Sequence, residues 1–276
     1  MTASGGLLAG RRGLIMGVAN DKSIAWGIAK AAAQHGAELA FTYQADSFAK
    51  RVQPLAESVG SDLLIPCDVS DDADLDRAFD ILKERWGSLD FVVHAIAYSD
   101  KTQLKGRYLD TSRTNFRHTL SISCYSFTAV AQRAAPLLTP GTGSLITMSY
   151  LGAERVTPNY NVMGVAKAAL EASVRYLATD LGPKGVRVNA LSAGPMRTLA
   201  GSAIADARFV FRWSAEQAPL HRNVDLEEVG AAGLYLLSDL SLGVTGEVHH
   251  VDGGYHSVAM PHPSRVNTKK ESGESR

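Results

Sequence analysis

GLIMGVANDKSIAWGIAKAAAQHG, Gly13 to Gly36, changes its period in the middle. The apolar run to Val18 suits a buried strand, whereas from Ile24 onward the apolar residues recur at helical spacing. Ser23 stands where an N-cap hydroxyl accepts a bond from a free backbone N–H, and Gly36 where a chain leaves a helix in the left-handed conformation. Strand, turn and helix in this order open a βαβ unit. The turn, from Gly17 to Ile24, does not open GxGxxG: the glycines of the stretch are Gly17 and, three residues past the turn, Gly27, and the connecting loop is longer. It reads either as a structural turn or as a loop holding a pyrophosphate on the helix's free N–H groups and positive dipole end.

The alternation continues outward. Strands are expected at Leu39–Tyr43, Leu63–Pro66, Phe91–Ala95, Ser144–Ser149, Val186–Leu191 and Gly246–Val251, and helices at Ala45–Gly60, Asp71–Trp86, Asn115–Leu138, Pro158–Gly182 and Asp225–Ser238. Alternating β and α at this spacing implies right-handed crossovers and a parallel sheet. The expectation is an α/β chain: one Rossmann-like, doubly wound parallel sheet of seven strands flanked by helices, over residues 1–260. Between Ser192 and Arg222 the pattern loosens into helix-prone pieces such as AIADARFVFRW, a length that suggests a functional lid. Residues 261–276 are polar and are expected to form a disordered tail.

With 276 residues the chain can bury a substantial core, and its 28 basic and 28 acidic residues leave no net charge to attract nucleic acid or an anionic membrane. Two cysteines, Cys67 and Cys124, lack both CxxC spacing and the density of a disulfide scaffold, so reduced thiols are expected. Neither a signal peptide nor a membrane span is legible, and a cytoplasmic protein with a small-molecule partner fits best. His249, His250, His256 and His262 form no recognised metal-ligand set; adjacent strand residues point to opposite faces, so no metal is expected. His94, ending a buried strand, reads as structural.

In an open parallel sheet, ligands bind beyond the carboxyl ends of the strands. Roughly 20 residues past the first turn, where a dinucleotide fold reads the adenosine ribose, stands Gln44. A neutral glutamine can bond a free 2′-hydroxyl and offers no charge to a 2′-phosphate, which favours NADH, although Lys50 and Arg51 lie nearby. Asp68 and Val69 follow the third strand, where Asp68 either contacts adenine or caps the next helix. On the helix after the fifth strand, Tyr160 and Lys167 lie two turns apart, within about 20° on one face and roughly 10 Å along the axis. They suit two groups gripping one elongated ligand, or two residues in phase by accident. Gly164, between them, would let a ligand or another backbone approach closely.

Taken together, GVANDKSIAWGIA, CDV, HAIA, SYLGAERVTPNYNVMGVAKAAL, GVRVNALSAGPMRTLA and TGEVHHVDGGY resemble the bacterial enoyl-acyl-carrier-protein reductases of the FabI type, divergent short-chain dehydrogenase/reductases. The resemblance spans roughly Leu8 to Ala259, with segments in the right order. It implies a catalytic Lys167 bonded to the nicotinamide ribose, a catalytic Tyr160 donating to the thioester oxygen as the enolate forms, and Tyr150 as a second aromatic beside that carbonyl. The residue reading leaves Tyr150 the alternative of packing against the lid. A classical member would carry tyrosine where Met163 stands. The displaced donor suits a reaction in which hydride goes to the β-carbon and charge develops on a more distant oxygen.

By the same resemblance Gly17, Ala19, Ser23, Ile24, Gln44, Asp68, Val69, Ala95, Ile96, Lys167 and Met196 contact NADH, and Ala97, Tyr150, Tyr160 and Met163 the substrate. Residues 192–222 match the substrate-binding loop. Ala97 replaces a common glycine, which would narrow the pocket floor, and Met196 stands where a branched aliphatic is frequent. The implied activity is NADH-dependent reduction of enoyl chains on acyl carrier protein in type II fatty-acid elongation, by a homotetramer joined through the helices at 115–138 and 158–181. Other readings are a carbonyl or dienoyl thioester reductase of the same superfamily, and a catalytically silent nucleotide-binding regulator.

Overall fold

Among the residues that the computed structural model describes, 5–199, 201 and 206–260, seven parallel strands form one sheet: β1 (Arg12–Met16), β2 (Glu38–Tyr43), β3 (Leu63–Pro66), β4 (Phe91–His94), β5 (Ser144–Ser149), β6 (Arg187–Ala193) and β7 (Val248–Val251). The order is β3-β2-β1-β4-β5-β6-β7. The chain moves from β1 outward to β3, then returns to lay β4 on the other side of β1, with Met16 opposite His94. At that reversal the connections leave in opposite directions and open a crevice at the strand ends. The expected tail, residues 261–276, lies outside the described residues.

Strand side chains alternate between faces, so each strand feeds two cores. Leu14 and Met16 of β1 and Val92 of β4 join the layer holding α3 (Asp72–Trp86), α6 (Ser126–Ala134) and α7 (Asn161–Leu181). Ile15, Phe91 and Val93 join the layer holding α1 (Ile24–Gln34), α2 (Asp46–Ser58) and α9 (Leu226–Leu237). Burial on both faces explains why these strands read as continuous apolar runs. Gly27 belongs to this packing and not to the first turn: a Cβ there would sit 2.7 Å from Leu226 of α9, and one at Gly230 would sit 2.6 Å from the Gly27 carbonyl oxygen.

Two elements depart from expectation. The polar stretch from Tyr98 to Arg113, which carries no helical period, contains one turn of helix, α4 (Lys101–Leu104), and a 3-10 turn at Tyr108–Asp110. The helix expected over 115–138 is α5 (Arg113–Leu120), a wide π turn over Ser121–Tyr125, and α6, which ends at Ala134. The widening falls where side chains are drawn toward the β4 exit. Ser123 Oγ accepts from the Tyr98 N–H at 2.9 Å and donates to the Tyr98 carbonyl at 3.0 Å, and Ser126 Oγ bonds His94 Nε2 at 2.8 Å. The loose stretch after β6 carries α8 (Ala207–Gln217), where the sequence reading expected a helix-prone piece.

Candidate active site

Beyond the carboxyl ends of the strands lies a cavity of about 640 Å³. Gly17, Ala19, Ser23 and Ile24 line it from the first turn, Gln44 from the end of β2, Asp68 and Val69 from the end of β3, and Ala95, Ile96 and Ala97 from the end of β4. Tyr150 follows β5, Tyr160, Met163 and Lys167 belong to the start of α7, and Met196 follows β6. All the site residues expected from the sequence therefore face one space. Ala97 lines the cavity and is exposed.

At the first turn Gly17 takes φ +98°, and a Cβ there would come within 2.2 Å of the Ala95 carbonyl oxygen, so only glycine lets β1 and β4 exit this close together. Ser23 precedes α1 but does not cap it; its Oγ accepts from the N–H groups of Ala19 at 3.0 Å and Asn20 at 3.2 Å. The hydroxyl pins the turn instead of closing the helix. With that acceptor committed, the first-turn N–H groups of Ile24 and Ala25 are left for a ligand, and both residues line the cavity.

At the far end, Gln44 Nε2 donates to Asp68 Oδ2 at 3.0 Å, and Asp68 Oδ1 accepts from Ser70 N–H and Oγ at 2.9 and 2.7 Å. Asp68 is not a helix cap; Asp71 caps α3 by accepting from the Ala73 N–H. Partial burial pulls the Asp68 carboxyl up, but the bonds from Gln44 and Ser70 outweigh it and hold the group below the usual carboxylate range. Asp68 is thus an anion whose partner presents its amide oxygen elsewhere.

The opposite end is built around Tyr160, the N-cap of α7. Asn159 and Asn161 on either side take positive φ, 59° and 37°, which asparagine tolerates better than most residues. Asn161 Nδ2 donates at 3.3 Å to the carbonyls of both Gln103 and Gly106, tying the helix start to the α4 turn. The ring of Tyr160 fits only because residue 152 is glycine, where a Cβ would lie 2.4 Å from its Cδ1. Gly164 admits a neighbouring backbone, since a Cβ there would lie 2.7 Å from the Gly152 carbonyl oxygen. Tyr150 packs edge-on against Tyr160, centroids 5.1 Å apart at 70°.

Two turns further on, Lys167 donates from Nζ to the Met148 carbonyl at 2.6 Å. Burial pulls its ammonium down to about 8, against opposing contributions from Cys124 and Glu171. Burial also raises Tyr160 far above the normal phenol range, with Tyr150 and Glu171 adding to it. Tyr150 is pushed up to about 12, first by burial and then by Tyr255. Both phenols are therefore neutral hydrogen-bond donors at neutral pH, beside a cation that holds its proton loosely.

His94 is fully buried between Thr147 Oγ1 at 3.0 Å and Ser126 Oγ at 2.8 Å, and burial lowers it to about 3, so it is a neutral structural link. His249 and His250 bond different carboxylates, Glu247 and Glu154. Among the described residues no group of three or more His, Cys, Asp or Glu is arranged to hold a metal ion; His262 lies outside them.

Sequence reasoning missed the apolar wall: Leu104 of α4, Ile122 of the π turn, and Val210 and Phe211 of α8 line the same cavity. Their elements are short or irregular and carry no periodic signal, although the helix-prone piece at 203–213 pointed to α8. Sequence reasoning also missed Ser149 and Glu171, bonded to each other at 2.5 Å. The available signal was the placement of Glu171 four residues after Lys167 on one helix face.

The arrangement suits a dinucleotide laid across the switch point: free helix N–H groups for its phosphates, polar groups at the adenosine end, and a lysine with two tyrosines at the other. The sequence profile of the family described as enoyl-(acyl carrier protein) reductase matches residues 17–256. Enoyl-[acyl-carrier-protein] reductase [NADH] 2 of Rhizobium meliloti (strain 1021) is 62% identical over 93% of this chain and 95% of its own. A crystal structure of the enoyl-(acyl-carrier-protein) reductase from Anaplasma phagocytophilum in complex with NAD is similar at a TM-score of 0.90 and 60% identity, covering 95% of this chain and all of that one. The structure of FabI from Candidatus Liberibacter asiaticus is similar at a TM-score of 0.91 and 56% identity, covering 94% and 100%. No helix among the described residues is long and apolar enough to cross a membrane.

Proposed function

The chain belongs to the enoyl-(acyl carrier protein) reductase family, and from that premise we propose that it reduces the trans-2 double bond of acyl chains carried on acyl carrier protein, using NADH, in the elongation cycle of type II fatty-acid biosynthesis. The observation that carries this reading is the single cavity in which the first βα turn, Gln44 and Asp68 meet Tyr150, Tyr160 and Lys167. When bound, NADH supplies a hydride to the β-carbon of the enoyl thioester. Lys167 holds the nicotinamide ribose and contributes positive charge. Tyr160, kept neutral by burial, donates a hydrogen bond to the thioester oxygen as charge develops there, an effect worth about 3 kcal/mol.

Tyr150 orients the Tyr160 ring and borders the same oxygen, while Ala97, Met163 and residues 192–222 with α8 enclose the acyl chain. At the adenosine end the Gln44 amide oxygen accepts from a ribose hydroxyl, and the Asp68 anion repels a 2′-phosphate, so NADH is preferred over NADPH. One folding unit, residues 1–260, carries both cofactor and substrate. The protein works in the cytoplasm as a homotetramer; exposed apolar side chains on α7 and the π turn, Val165, Tyr176 and Tyr125, supply surface for subunit contacts.

The test follows reduced nicotinamide consumption with NADH and NADPH in parallel, on a medium-chain trans-2-enoyl thioester and on a simple ketone. Oxidation of NADH with the thioester alone supports the reading. Activity on the ketone alone moves the chain to the carbonyl reductases, and NADH binding without turnover makes it a silent regulator.

A further inference from the structure

Reducing an enoyl thioester takes up one proton for every hydride: the hydride ends on the β-carbon and the proton on the α-carbon. Granted the activity proposed above, that proton must reach a site where Tyr160 and Lys167 are 8% and 5% exposed. We propose that Glu171 and Ser149 form the inlet through which it enters, from the side of the molecule where His250 lies.

Glu171 follows Lys167 by one turn on the same face of α7 and is 7% exposed. Its Oε1 accepts from Ser149 Oγ at 2.5 Å, and Ser149 lines the cavity. A structural carboxylate this deep is ordinarily paired with a cation. Among the described residues Glu171 makes no ion pair within 4.0 Å, and Lys167 donates instead to the Met148 carbonyl. The charged groups that face it are Arg175 and Lys167 on its own helix, Glu154 after β5 and His250 on β7, and its field also reaches Tyr160. Burial raises the carboxyl above the usual range, beyond what the Ser149 bond takes back, so it keeps its proton better than a surface glutamate.

On the solvent side, His250 Nε2 bonds Glu154 Oε1 at 2.8 Å, and the His250 ring stacks on His256, centroids 4.0 Å apart. His256 Nδ1 bonds Asp252 at 3.0 Å. His250 and Glu154 reach water, with side chains 17% and 41% exposed.

A hydroxyl beside a carboxyl has two arrangements. With Glu171 ionised, Ser149 donates to it. With Glu171 protonated, the carboxyl donates to Ser149 Oγ and the serine's own proton turns toward the cavity. In the transfer a water in the cavity gives a proton to the α-carbon and is left as hydroxide; Ser149, which lines the cavity, gives that hydroxide its own proton, and the Glu171 O–H bond breaks as Ser149 Oγ takes the proton of the carboxyl. The carboxylate then recovers a proton from solvent on the side where His250 and Glu154 reach water.

The test compares the unmodified protein with Glu171→Gln, whose amide oxygen still accepts from Ser149 but has no acidic proton, and with Ser149→Ala, which breaks the link from the other end. NADH affinity is measured by equilibrium titration. Turnover on a trans-2-enoyl thioester is followed from pH 6 to pH 9 in light and heavy water. The expected result is NADH affinity within about twofold of the unmodified protein, kcat lower by at least about tenfold at pH 8 and by less at pH 6, and a larger solvent isotope effect. Near-unmodified kcat with an unchanged pH profile and isotope effect overturns the inlet, as does a fall in kcat matched by an equal loss of NADH affinity. Should Glu171→Gln fail to fold, Ser149→Ala decides alone. An unmodified protein that does not oxidise NADH with the thioester refutes the proposed activity first and the inlet with it.

Discussion

Replacing Lys167 by methionine is expected to raise the stability of the cofactor-free protein while abolishing its use of NADH. The ammonium is buried to 5% exposure and drawn from 10.5 down to about 8. At about 1.4 kcal/mol per pH unit, keeping it charged costs the folded state about 3 kcal/mol. The hydrogen bond to the Met148 carbonyl offsets part of that, leaving a net gain for methionine of about 1–2 kcal/mol. In a chain of this size the melting temperature should rise by about 2–8 °C.

The pH dependence gives the sharper test. Below about pH 8 the lysine is protonated whether folded or unfolded, and the full cost is present. Between about 8 and 10.5 the folded state has released the proton and the unfolded state has not, so the unmodified protein gains stability as pH rises. Lys167→Met lacks this gain. Urea or thermal unfolding at pH 7 and pH 9.5 should therefore show a gap in favour of the variant that narrows at the higher pH. A variant less stable than the parent at pH 7, or a gap independent of pH, would refute the reasoning. NADH titration of the same variant should show affinity reduced by more than tenfold.

Tyr160→Phe removes the donor and leaves the ring packed on Tyr150, so kcat should fall about 100-fold with NADH affinity unchanged, as read by steady-state kinetics and titration. Asp68→Asn removes the anion beside Gln44; the ratio of kcat/KM for NADPH over NADH should rise about tenfold at low salt, and a constant ratio would clear Asp68 of that role. Gly152→Ala would put a methyl 2.4 Å from Tyr160 Cδ1. Its displacement of the ring should lower kcat about tenfold while NADH binding stays within about twofold.

Much of this protein was legible in its residues. Apolar runs such as Phe91–His94, buried on both faces, announce parallel strands, and the change of period between Met16 and Ile24 marks the βα turn. The pairing of Tyr160 with Lys167 and the positions of Gln44 and Asp68 follow from counting along those elements. Other features depend on neighbours distant in sequence. Ser23 looks like a helix cap because capping residues recur locally, yet its hydroxyl turns back to Ala19 and Asn20. Gly27 looks like part of the turn, and only the crossing of α1 with α9 shows why it has no side chain. The helix over 115–138 reads as continuous because its break at the π turn is tied to the β4 exit, through Tyr98 and His94.

The sequence by itself determined the succession of strands and helices, because period and capping are set by residues a few positions apart; the laying of β4 beside β1, which makes the switch point, is a tertiary pairing. Only the tertiary structure decided the electrical state of the site. The shifted pKa values of Lys167, Tyr160 and Glu171 come first from burial; of the groups that add to it, Glu171 shares the helix of Lys167, but Ser149, Tyr150 and Cys124 are delivered by other elements and no local spacing reveals them. Desolvation acts through the whole surrounding volume, so it exists only once the chain has closed around the site.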